Sequence, residues 1–145
     1  MNNEVTAYTG VGIYDWEGLF SFFLTQLAYT LKELNDRYKE IKVYENVIKD
    51  EFFVKSLKTA VVYTLYLVRL KKSVTETGKD YLEIVENDLR KILESDLKNV
   101  SNVLDFKVAI ELWLKILEYV SRISYGVRVI GGSEEREKYQ TFTLE

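Results

Sequence analysis

Residues 105–126 read DFKVAIELWLKILEYVSRISYG. Asp105 suits an N-cap, and Gly126 stands where a left-handed C-cap is wanted. Between them Phe106, Ala109, Ile110, Trp113, Leu117, Val120 and Ser124 recur at helical spacing. Leu112, Ile116, Tyr119 and Ile123 widen that face beyond what a one-sided surface helix needs. A helix this apolar has to be buried on most sides, so the reading places it at the centre with other helices around it.

The rest of the chain supplies those helices. Asp15 is placed to cap a first one, in which Trp16, Leu19, Phe20, Phe23, Leu24, Leu27, Leu31 and Leu34 recur at three and four. Phe22 and Tyr29 lie off that stripe and mark a second buried face or a contact surface. Asn35-Asp36 is a weak break. From Tyr38 the period resumes through Ile41, Tyr44, Val47 or Ile48, and Phe52, which reads either as one long bent helix or as two. Residues 52–74 form a strong helix with Phe53, Leu57, Ala60, Val61, Thr64, Leu67 and Val68 on one face. Val61 to Thr64 has strand propensity, but the run is too long for an ordinary strand. Thr75 to Gly78 is the clearest turn. Lys79 or Asp80 opens a further helix with Leu82, Val85, Leu89, Ile92 and Leu93 on one side, and residues 94–102 read as a loop. The expected fold is all-α: a single-domain bundle of about five helices over 15–126. An extended or flexible arm (1–14) precedes it, and a mobile tail (127–145) follows, whose YQTFTLE has the makings of an edge strand in a complex.

Composition narrows the chemistry. The chain has 145 residues, 47% of them hydrophobic, and a net charge of −3, enough to bury a core and too balanced to coat nucleic acid with its whole surface. It contains no histidine and no cysteine. That excludes an imidazole base, a thiolate nucleophile, and any metal site built on either. The missing proline suits long helices. No cofactor or metal is expected. The N-terminus lacks the pattern of a signal peptide, and no run is long enough to span a bilayer, so a soluble cytoplasmic protein is expected. Gly10-Val11-Gly12 is not a phosphate loop, since no Lys-Ser/Thr follows it. Carboxylate pairs such as Asp80 and Glu83 are ordinary on a solvated helix, and no enzymatic activity is expected.

One asymmetry stands out. Helix 52–74 has no acidic residue and carries Lys55, Lys58, Arg69, Lys71 and Lys72. At about 100° per residue, Lys55, Lys58, Arg69 and Lys72 fall within a stripe about 100° wide, with Tyr66 at its edge and Lys71 pointing elsewhere. Cations along one face, with an aromatic among them, are what contact with a phosphate backbone requires. The alternative is a solvated face whose charges answer acids on neighbouring helices. Arg122, near the expected helix end, suits the dipole there. The 11 tyrosines suit protein contact surfaces.

Three stretches carry a resemblance. SLKTAVVYTLYLVR (56–69) resembles the basic, tyrosine-bearing helix of the small helical subunits of type III CRISPR effector complexes. FKVAIELWLKILEYVSRISYG (106–126) is similar to their C-terminal apolar helix, and WEGLFSFFLTQLAY (16–29) to an early helix. Together they cover about half the chain. The resemblance implies a non-catalytic subunit of an antiviral nucleoprotein complex that stacks with copies of itself along an RNA-containing duplex. Lys58 and Arg69 match its basic pattern. The expected nucleic-acid-binding set is Lys55, Lys58, Tyr66, Arg69 and Lys72, and the expected partners are other subunits, copies of itself, and an RNA or DNA backbone. The competing expectation is a homo-oligomeric helical contact module, as in small viral or mobile-element proteins, without nucleic acid. Neither reading calls for a membrane or a small-molecule substrate.

Overall fold

A computed structural model of the chain describes residues 16–131, with side-chain surroundings through Ile123. The elements are α1 (Trp16–Glu40), β1 (Val43–Tyr44), β2 (Val47–Lys49), α2 (Glu51–Val74), α3 (Lys79–Lys91), a π-turn (Ile92–Asp96), β3 (Val103–Asp105) and α4 (Phe106–Gly131). The described residues therefore form a mostly helical fold of four helices and a small sheet, not an all-α bundle of five. The expected arm over 1–14, the cap at Asp15 and the tail beyond residue 131 lie outside the described residues. Among those residues no helix is long and apolar enough to cross a membrane.

The fifth helix is replaced by a hairpin. α1 runs straight through Asn35-Asp36 to Glu40. The chain then reverses at Glu45-Asn46, both at positive φ (50° and 66°), the pattern of a two-residue type I′ turn. Asparagine tolerates the left-handed region better than most residues. The strands pair antiparallel, Val43 with Ile48 and Tyr44 with Val47, and β3 adds to the far side of β2 with Leu104 opposite Ile48. Ile48 and Leu104 face the core, whereas Tyr44 lies in solvent. The β-branched residues that looked like a resumed helical period belong to a strand alternation too short to declare itself. Two contacts lock the hairpin in place. Phe106 N–H donates to the Asn46 carbonyl at 2.8 Å, and the Arg37 guanidinium reaches both Asp50 carboxylate oxygens at 3.2 and 3.0 Å. Asp50 also caps α2 by accepting from Phe53 N–H.

The centre of the fold is α2, not α4. Helix α2 lies against α1, α3 and α4. Its buried residues include Val54, Leu65, Leu70 and Lys71 as well as the expected face. Helix α4 behaves as a wall. Ala109, Leu112, Ile116, Val120 and Ile123 point inward, while Leu114 is 61% exposed. Asp105 does cap α4, accepting from Val108 N–H at 3.1 Å. Gly126 does not end it, because the helix continues to Gly131. A helical glycine costs only about 1 kcal/mol against alanine, and no proline enforces a stop. The contacts Phe23 to Tyr66 and Tyr38 to Phe53 fix α1 antiparallel to α2. Those between Arg122 and Tyr81 and between Tyr119 and Asp88 fix α3 antiparallel to α4. The order is up-down-up-down. The turn before α3 closes on Gly78, whose φ of 73° is a conformation that glycine adopts readily.

Candidate nucleic-acid interface

The five residues expected to meet a phosphate backbone all sit on α2, but they do not share one open face. Lys55 is exposed and has no ion pair among the described residues. Lys58 is half-buried, its ammonium donating to the Val100 carbonyl in the loop before β3. The Arg69 guanidinium lies 3.1 Å from Glu86. Lys72 lies 2.7 Å from Glu83 and 2.9 Å from Glu86. Tyr66 turns away from the stripe and packs its ring against Phe23 of α1, with centroids 5.3 Å apart. Arg69 and Lys72 thus answer acids on α3, Lys58 is held by the backbone, and Tyr66 belongs to the α1–α2 packing. Arg69 is exposed but paired, so Lys55 is the one of these cations that is both exposed and without an ion pair among the described residues.

This arrangement follows from the connection. The short turn over 75–78 folds α3 back along α2. Lys72 and Glu83, and likewise Arg69 and Glu86, stand symmetrically about the Thr77–Gly78 peptide. Each pair on its own helix is spaced at three, so both lie on one side. That mirror relation of basic and acidic residues across a clear turn is a sequence signal that would have found the cluster. Glu86 sits well below the usual carboxylate range. The Lys72 hydrogen bond is the main cause and Arg69 adds to it, while burial pulls the other way. Lys72 is raised above its ordinary value by Glu83 and then Glu86.

A group whose pKa is depressed on folding contributes stability above its unfolded value and loses it as pH falls through the folded one. Replacing Glu86 with Gln is therefore expected to cost about 1 kcal/mol at pH 7, the upper end for partly exposed ion pairs. The difference from wild type should shrink as pH is lowered below 4.5, the ordinary carboxylate value. Urea unfolding of both proteins at pH 3 and pH 7 checks this.

A second polar network joins α3 to α4. The Tyr119 hydroxyl donates to Asp88 at 2.6 Å, and Lys115 lies 3.3 Å from the same carboxylate. Burial, then Asp88, pushes the Tyr119 hydroxyl well above its usual range. Arg122 is not at a helix end, since α4 continues past it. It pairs with Glu118 at 3.2 Å and lies over the Tyr81 ring at 5.5 Å. Lys71, set aside in the stripe argument, is 8% exposed, and its ammonium donates to the Ile123 carbonyl at 3.3 Å. Its position three and four residues after Val68 and Leu67 places it on the buried side.

Large aromatic groups, by contrast, are left in solvent. Phe22 is 49% exposed and Tyr29 65% exposed on α1. Phe52, beside the hairpin, is 58% exposed under the Arg37 guanidinium, 5.1 Å from its ring. No family model, curated protein or solved structure matches this chain.

Proposed function

We propose that this chain is a non-catalytic helical subunit that works by protein contact, pairing with a copy of itself through the open face of α1. The observation that carries the reading is the placement of Phe22 and Tyr29. The two rings are seven residues apart, so they point in nearly the same direction. Both lie outside the core. Thr25, between them on that side of the helix, is small enough to let a second helix approach. In an antiparallel pair of α1 helices centred between Thr25 and Gln26, Phe22 of each copy meets Tyr29 of the other. The two-fold axis forms both aromatic contacts at once. Aromatic anchors of this kind carry much of the binding in protein interfaces. The nucleoprotein reading has less support, because Arg69 and Lys72 are neutralised within the molecule.

Light scattering over a concentration series tests the proposal. The wild type is expected to form a dimer, and Phe22→Gln/Tyr29→Gln to be monomeric, with association weakened about 100-fold on loss of two hot-spot rings. A wild type that stays monomeric at high concentration, or a variant of unchanged mass, overturns it. Filter binding with RNA at low salt decides the other reading. RNA retention that falls when Lys55, Lys58, Arg69 and Lys72 are changed to Glu would return the chain to the nucleoprotein class.

A further inference from the structure

On the side of the bundle away from α1, the π-turn and α4 enclose an open cleft. Its volume is about 610 Å³, and Asp96, Val108, Glu111, Leu112, Leu114, Lys115 and Glu118 line it. That volume lies within the usual range for ligand clefts, roughly 300–1,000 Å³. The cleft follows from the way the chain leaves α3. Leu97 N–H bonds to the Ile92 carbonyl at 3.0 Å, five residues back, so the last turn is a residue wider than an α-turn. It sets Asp96 across from α4. Leu112 is buried at the base, and Leu114 stands 61% exposed.

The charges of the lining select the occupant. Three carboxylates face one ammonium. That ammonium, on Lys115, is already held by Asp88, and Glu118 is answered by Arg122. Asp96 and Glu111 have no ion pair among the described residues. The chain's own ends carry the same sign as the cleft. Residues 1–15 contain Glu4 and Asp15 with no lysine or arginine, and residues 132–145 contain four glutamates against Arg136 and Lys138. Neither end complements the cleft, whereas a cationic segment from another protein does.

We propose that this cleft seats a basic amphipathic helix of a protein partner. Its apolar residues would pack on Val108, Leu112 and Leu114, and its lysines or arginines would face Asp96 and Glu111. The site is on a different helix from the α1 face and does not depend on self-association.

The test uses the full chain and a fluorescein-labelled synthetic helix with leucines at i, i+3, i+4 and i+7 and lysines elsewhere, followed by anisotropy. Saturable binding that weakens with salt is expected. Asp96→Lys/Glu111→Lys should weaken it about tenfold or more by setting like charges against the peptide. Leu114→Gln should weaken it about fivefold by removing apolar contact. Phe22→Gln/Tyr29→Gln should leave it within about twofold, since distant sites act independently. All of these positions are on the surface, so each variant keeps its fold. Two outcomes with this peptide and two control peptides decide the matter. No saturable binding overturns the proposal, and so does equal affinity for both cleft variants and wild type. A peptide with glutamate in place of lysine that binds as well refutes the charge argument. One with serine in place of leucine that binds as well refutes the apolar seat.

Discussion

Phe53→Ala is expected to lower the stability of this protein by about 3–5 kcal/mol, the range for deleting a buried phenylalanine ring. Phe53 is fully buried, and its ring meets Tyr38 of α1 at 6.4 Å and Trp113 of α4 at 6.1 Å. The ring closes the hairpin end of the core, where α1, α2 and α4 converge. Its neighbour makes the internal control. Phe52 is 58% exposed, and Phe52→Ala should change stability by no more than about 0.5 kcal/mol, the scale of surface substitutions. Urea unfolding of the two variants reads the difference directly. Equal losses would mean that α2 is rotated from the orientation described, and with it the assignment of every residue on its two sides.

Lys71→Met is expected to raise stability at pH 7, by about 1–3 kcal/mol, the scale of burying a polar group with incomplete compensation. Lys71 is almost fully buried, and its ammonium has a carbonyl as partner instead of a carboxylate. Burial lowers its pKa from 10.5. The unfolded chain therefore holds the Lys71 proton more tightly than the folded one. Stability then rises with pH as the medium passes from the folded value towards 10.5. Methionine should abolish that rise. Lys72 acts in the opposite sense but at higher pH, since its pKa is raised above 10.5. Tyr119 likewise lowers stability only above its ordinary value of 10.0. Denaturation midpoints between pH 7 and 9.5 therefore isolate Lys71. A variant no more stable than wild type, with an unchanged pH slope, would show that the ammonium is solvated.

The legible parts of the fold were those with long periods. The α1 stripe, the α2 face, the α3 face and the 75–78 turn all lie where their spacing places them, because each repeats over several turns. The hairpin was not legible. Two strands of two and three residues give no alternation to count, and Glu45-Asn46 lacks the glycine that usually marks such a turn. The choice of centre was misled by composition. Helix α4 is rich in apolar residues all round, but Leu114 is spent on the surface, and α2 hides its lysines at the ends and on one flank. For the site, helical spacing puts the α2 cations on one flank of their own helix and says nothing of what that flank meets. What spacing within one helix does not reveal is the helix laid across it, and Glu83 and Glu86 arrive only through the turn. Tyr66 was assigned to the wrong neighbour for the same reason, since its partner Phe23 is forty-three residues away in the chain.

The up-down-up-down order has one more result. Trp16 begins α1 and Gly131 ends α4 at the same side of the bundle, whereas the hairpin closes the opposite side. Anything attached ahead of the first helix or behind the last leaves by a shared door. A label at the first turn of α1 and another at the last turn of α4 would thus both stand on the side of the loop at 75–78, away from the strands, and would report on one neighbourhood and never on the full length of the bundle.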